Sequence, residues 1–246
     1  MKLLVINPNI SAPVTELIGQ EARRAASPGT EIDLVQVDRG VEYIETAFEA
    51  LIAAEAVTRT LAETFDDHDA IVVAAHGDPG LPGLKELFDV PVIGLAEATH
   101  SIVNVIAPRF SLVAVSRAIT RWYAAMAEQS GMGGRLVSIR PIEDEIPDIG
   151  RVGSDFRDEL ATALDRCVAD GADAVIVAGA PLAGVARELA PHVPIPLVDS
   201  VAAGVHMAEV TARMGLTPAR AGACAPPPRK RQEGIAPAVT RLMRRS

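Results

Sequence analysis

The stretch Asp69-Ala-Ile-Val-Val-Ala-Ala-His76 returns 104 positions later as Asp173-Ala-Val-Ile-Val-Ala-Gly-Ala180. Each begins with an acid, runs through apolar residues rich in Val and Ile, and ends in residues suited to a turn. The likeness extends outward. Gly83-Leu-Lys-Glu-Leu87 reads against Gly184-Val-Ala-Arg-Glu-Leu189 with one insertion, and Pro91-Val-Ile-Gly-Leu95 reads against Pro196-Leu-Val-Asp-Ser200. A period of about 100 residues is too long for a solenoid repeat and marks a duplicated domain.

Around this repeat, short apolar runs lie at Leu3–Ile6, Ile32–Val37, Ala70–Ala75, Val90–Leu95, Phe110–Val115, Leu136–Ile139, Ala174–Ala178 and Ile195–Val198. They do not alternate with polar residues, which suits parallel strands covered on both faces. Helical patterns separate them, at Pro13–Ala26, Tyr43–Phe65, Ala118–Gln129, Phe156–Ala169 and Val201–Met214. Strand–helix alternation of this kind predicts an α/β fold. The expectation is two pseudo-symmetric Rossmann-like domains with parallel sheets, 1–96 plus 205–246 and 97–204. Ligands in such folds sit at the carboxyl ends of the strands, which places the active site in the cleft between the two units.

Composition narrows the function. The chain has 246 residues, of which 49% are hydrophobic and 22% charged, the balance of a globular protein. A net charge of −9 argues against a general polyanion binder, and 3% aromatics against stacking on single-stranded nucleic acid. Two Cys without a C-x-x-C pair exclude a disulfide scaffold and a zinc ribbon. No apolar run reaches the ~18 residues of a membrane span. The start, Met1-Lys-Leu-Leu-Val-Ile-Asn-Pro8, is broken too soon for a signal peptide and reads as a buried strand. A cytoplasmic protein with a small-molecule partner, and no nucleic acid or membrane partner, is expected. The last 27 residues carry seven basic side chains and one acid, a solvated extension with Ala225-Pro-Pro-Pro228 lying along the surface.

The strand-end loops hold the residues able to do chemistry. In Asn7-Pro-Asn-Ile-Ser11, Asn9 and Ser11 can cap the next helix or bind a small anion through helix N–H groups. In His76-Gly-Asp-Pro-Gly80, the His is a candidate base, acid or metal ligand, and Asp78 can orient it or close a turn. Glu97 opens a helix at the cleft. His100 follows one turn later, and His206 lies two turns beyond Asp199. These imidazoles, His76, His100 and His206, are the candidate ligands for Zn²⁺ or another divalent metal, although no compact spacing such as H-E-x-x-H is present. No organic cofactor is expected. Ser116 and Arg117 can meet a polar substrate group, and Gly179-Ala180 can offer backbone N–H groups to a developing oxyanion.

Together, Leu4-Val-Ile-Asn-Pro-Asn-Ile-Ser11, Gly77-Asp-Pro-Gly-Leu81, Pro91-Val-Ile-Gly-Leu-Ala-Glu97, Ala183-Gly184 and Pro196-Leu-Val-Asp199 resemble the Asp/Glu/hydantoin racemase superfamily, in its hydantoin and allantoin racemase branch. The resemblance runs over nearly the whole chain. It implies two α/β lobes around a small-molecule site, and a homo-oligomer. It also implies two catalytic Cys, one at an equivalent strand end in each half, which move a proton between opposite faces of a carbon. Here those places hold Ala75 and Gly179. The remaining thiols fall elsewhere, Cys167 on a helix and Cys224 in the tail.

Ala and Gly titrate nothing, so two-thiol racemisation is not expected. The favoured expectation is hydrolysis of a hydantoin-like ring, a cyclic ureide or thiohydantoin, with metal assistance or with His76, Asp78 and Glu97 as catalytic groups. Asn9, Ser11, Ser116, Arg117, Gly179, Ala180 and Asp199 would then bind substrate. Racemisation or decarboxylation with a non-Cys base is the alternative. A ligand-binding paralogue without turnover is the third reading.

Overall fold

The computed structural model describes residues 1–142, 146–225, 228 and 230–243. All eight apolar runs are strands: β1 Lys2–Asn7, β2 Glu31–Gln36, β3 Ala70–Val73, β4 Val92–Gly94, β5 Phe110–Ala114, β6 Leu136–Pro141, β7 Ala174–Val177 and β8 Leu197–Asp199. They form two four-stranded sheets, ordered β2-β1-β3-β4 and β6-β5-β7-β8, with every pairing parallel. The second sheet repeats the order of the first, as the internal repeat requires. In both sheets the two central strands are buried along almost their whole length. That is why their sequences show no alternation.

The helices are α1 Ala12–Ala25, α2 Ala47–Thr64, α3 Leu81–Leu87, α4 Leu95–Ile106, α5 Thr120–Gln129, α6 Val152–Asp155, α7 Arg157–Ala169, α8 Val185–Leu189, α9 Ser200–Arg213 and α10 Pro237–Leu242. Helix α9 follows the second sheet but packs on α1, α4 and β3 of the first, so the lobes share one core. No helix among the described residues is long and apolar enough to cross a membrane.

One difference from the sequence reading shapes the site. Helix α2 starts at Ala47 and not at Tyr43. Thr46 accepts from the Glu49 N–H at 3.2 Å while the Glu49 carboxylate accepts from the Thr46 N–H at 3.0 Å, a reciprocal cap that fixes the first turn. Tyr43 and Ile44 are thereby left in a loop that lies over the strand ends. In the tail, α10 packs on α2, and Arg220 binds Asp89 and the carbonyls of Glu86 and Phe88. Pro226 and Pro227 of the Pro run lie outside the described residues.

Candidate active site

Each half delivers a strand end to one small cavity. From the first half come Asn9, Tyr43, Ile44 and Ala74–Gly77. From the second come Ile119, Trp122, Tyr123 and Gly179–Pro181. The space inside is about 20 Å³, enough for a single water molecule. Ala75 and Gly179 line it together.

His76 is the titratable group most tightly held there. Its Nδ1 lies 3.2 Å from Ser200 Oγ, and Ser200 Oγ donates to the Val177 carbonyl at 2.9 Å. A serine hydroxyl has one proton. With that proton on Val177, Ser200 must accept from His76, so Nδ1 carries the ring hydrogen. Burial, and then the His100 ring, push the His76 pKa well below the usual 6.5, which keeps the imidazole neutral. Nε2 is therefore a bare lone pair, buried and without a partner. His100 repeats the device. Its Nδ1 is 2.8 Å from Ser130 Oγ, which donates to the Met126 carbonyl at 2.7 Å, and its Nε2 is also buried without a partner. Burial lowers its pKa to about 4. The two rings meet edge-on at 6.0 Å.

Aromatic rings close the cavity. Tyr123 packs against His76 at 4.6 Å between ring centroids. Its hydroxyl oxygen is 3.4 Å from the point where a Cβ on residue 179 would stand. Trp122 lies so close to Gly77 that a Cβ there would fall 2.0 Å from its ring, so only glycine allows this contact. The Tyr43 hydroxyl is buried with no partner. Burial raises its pKa well above 10, and so do the charges of Tyr123, Glu45 and Glu49.

The other expected site residues divide among several places. Asn9 lines the cavity while its side-chain carbonyl accepts from the Ser11 N–H at 2.9 Å. Ser11 precedes α1 without capping it, and its hydroxyl is buried and unpartnered. Ala180 is buried in the cavity wall. Asp78, Glu97 and His100 line a neighbouring groove of about 820 Å³, bounded also by Gly77 and Trp122. The two acids are engaged with α4 and not with His76. Asp78 accepts from the Ala96 and Glu97 N–H groups at 3.0 Å, and Glu97 accepts from Gly94 and pairs with Lys85. Burial outweighs those N–H bonds and raises the Asp78 pKa to about 7.

Asp199 caps α9, accepting from Val201, Ala202 and, at 2.7 Å, Gly184. Burial raises its pKa against these donors. Ser116 donates to Glu45 beside an outer pocket of about 370 Å³, and Arg117 is exposed. The three-imidazole metal set needs correction. Helix α9 turns Val201, Val205 and Ala208 into the core, which leaves His206 exposed on its outer face, away from His76 and His100. Among the described residues no group of three or more His, Cys, Asp or Glu is arranged to hold a metal ion. Cys167 is buried on α7, where burial raises its pKa to about 11, and Cys224 is exposed.

Ser200, Tyr43, Tyr123 and Trp122 belong to the site without standing among the candidate residues that the strand-end loops offer. A signal for three of them was present: the chain has two Tyr and one Trp, and all three line this cavity.

Comparison with known proteins agrees with this architecture. The family described as Asp/Glu/Hydantoin racemase matches residues 3–208. A hydantoin racemase of Paenarthrobacter aurescens is 33% identical over 241 residues, covering 94% of this chain and 99% of that protein. An allantoin racemase from Klebsiella pneumoniae has a structure with TM-score 0.88 at 32% identity, covering 97% of this chain and 98% of that one. A glutamate racemase from Francisella tularensis, at 14% identity and TM-score 0.61 over 87% of this chain and 82% of that one, shares the fold alone.

Proposed function

The chain belongs to the Asp/Glu/hydantoin racemase family, and from that premise we propose an isomerase that inverts the acidic carbon of a hydantoin-type ring without thiols. His76 is the base and Tyr123 the proton donor on the second lobe's side. One observation carries this reading: the Ser200–Val177 relay leaves His76, a residue of the cavity wall, with its Nε2 lone pair buried and unpartnered.

The chemistry follows from that tautomer. Nε2 takes the proton from the carbon beside a ring carbonyl, and the C–H electron pair passes into an enolate. The Tyr123 hydroxyl, beside the place of the missing second side chain, returns a proton to the other face of that carbon. This leaves an imidazolium and a phenolate whose rings are in contact, and proton exchange between them through the cavity restores both groups.

The racemase relatives favour proton transfer over ring hydrolysis, and the exposed position of His206 removes the third imidazole on which a metal-assisted hydrolysis would draw. The test uses L-5-methylhydantoin in D₂O. The wild-type protein should replace the C5 hydrogen with deuterium and abolish optical rotation, leaving the ring intact. His76→Gln should slow both by about 10²- to 10⁴-fold. Ring opening without deuterium at C5, or exchange as fast in the variant, would overturn the reading. Hydantoin-induced thermal stabilisation with no exchange at all would favour a ligand-binding paralogue.

A further inference from the structure

We infer that Tyr43 is a further catalytic residue, whose hydroxyl donates a hydrogen bond to the carbonyl oxygen beside the carbon that loses its proton to His76. This inference rests on the function proposed above.

His76 has a weakness as a base. Burial keeps its imidazole neutral, which bares the lone pair but also makes it a poor base. A poor base removes a carbon-bound proton only if the charge left on the substrate is stabilised elsewhere. Among the side chains that line the cavity, Asn9 uses its Oδ1 to accept the Ser11 N–H and Tyr123 is assigned to the proton return, whereas Tyr43 Oη is a buried donor without a partner.

Its circumstances are specific. Buried side-chain oxygens normally have partners, and each exception calls for an explanation. Tyr43 Oη is buried without one, and so is His76 Nε2, both on residues that line the same cavity. The first is a hydrogen-bond donor and the second is an acceptor, yet they do not satisfy each other. The group that answers both presents an acceptor to Tyr43 and an acidic hydrogen to His76. A carbonyl flanked by an acidic C–H does so, and so does its enolate. When the C–H bond breaks, its electron pair forms the C=C bond and the C=O π pair moves onto oxygen. The proton goes to Nε2. The Tyr43 O–H bond stays intact and its hydrogen bond shortens toward the new negative charge. Burial and the charges of Tyr123, Glu45 and Glu49 keep the phenol protonated, so it serves as a donor across the neutral range. The reciprocal cap at Thr46 holds Tyr43 outside α2, in the loop over the strand ends, and so accounts for its position.

Tyr43→Phe tests this, because it removes one oxygen and keeps the ring. Deuterium exchange into L-5-methylhydantoin should fall by about 10²- to 10³-fold in kcat, with KM changed by less than about threefold and Tm equal to or above that of the wild type. A rate within threefold of the wild type would overturn the inference. So would a loss of rate accompanied by a fall in Tm, the mark of a merely structural hydroxyl. If the wild type itself shows no exchange, the isomerase reading fails separately. Tyr43 is then judged by the thermal shift that 5-methylhydantoin gives: a shift lost in Tyr43→Phe supports the contact, while an equal shift in both proteins, or none in either, refutes it.

Discussion

The turns after β3 and β7 occupy equivalent places in the two halves, yet their backbones permit different things. At Ala75 the chain carries a Cβ in an ordinary conformation. At Gly179 it takes φ 109° and ψ 146°, a region that L side chains rarely adopt. The first lobe could regain a side chain by a single substitution. The second could regain one only with strain. A side chain is therefore limited by substitution alone in one half and by the main chain in the other. Under the proposed function the two lobes also differ in what they supply: the first an imidazole from the residue after Ala75, and the second a phenol from α5.

The largest expected effect breaks that division of labour between the lobes. In Tyr123→Phe, inversion of L-5-methylhydantoin should fall by about 100-fold while deuterium exchange persists, so that the deuterated product keeps its configuration. Chiral chromatography and NMR on the same sample decide the matter. Parallel loss of inversion and exchange would show that the second lobe has no separate part in the proton transfer.

Next come the two sites of loss. Gly179→Cys should destabilise the protein by about 1–3 kcal/mol, a fall in Tm of roughly 2–4 °C per kcal/mol at this chain length. Ala75→Cys should stay within about 1 kcal/mol of the wild type. Equal melting temperatures for the two variants would remove the contrast.

The smallest effect is in pH dependence. The depressed pKa of His76 predicts that kcat/KM stays level down through pH 6.5 and declines only below it. An acid limb at or above 6.5 would mean an imidazole in ordinary surroundings. His100 has a folded pKa of about 4, below its usual 6.5, so its share of stability is present above 6.5 and is lost as pH falls toward 4. Asp78 acts in the opposite sense. Its folded pKa of about 7 exceeds the usual 3.8, so its share is present below about 4 and is lost as pH rises toward 7. Because the two trends oppose each other in the wild type, His100→Gln should leave the Asp78 trend uncompensated, and its Tm should rise more steeply as pH falls from 6.5 to 4 than that of the wild type.

The order of the sheets could be read from the sequence because buried parallel strands announce themselves as unbroken Val/Ile runs, and because the chain states the pattern twice. The strand-end loops were legible for the same reason. What escaped notice depends on long-range partners. Ser200 reaches His76 across 124 positions, and no local pattern encodes a tautomer. The apolar periodicity continues through Tyr43 and reads as helix, whereas the Thr46 cap stops the helix short. Acids near a cleft, such as Asp78 and Glu97, invite a chemical reading from sequence. Their carboxylates also answer the free N–H groups at the start of α4, a need that every helix N-terminus has. Counting turns along α9 brings His206 toward the cleft, but the count cannot tell which face of the helix the other lobe covers.

The contact between Trp122 and Gly77 has a practical consequence. The chain contains a single tryptophan, and it stands against the wall of the cavity. Intrinsic fluorescence of the unlabelled protein therefore reports from one place only. A compound entering between the lobes must disturb the surroundings of that indole, so occupancy can be followed optically, in solution and in real time, before any turnover has been detected.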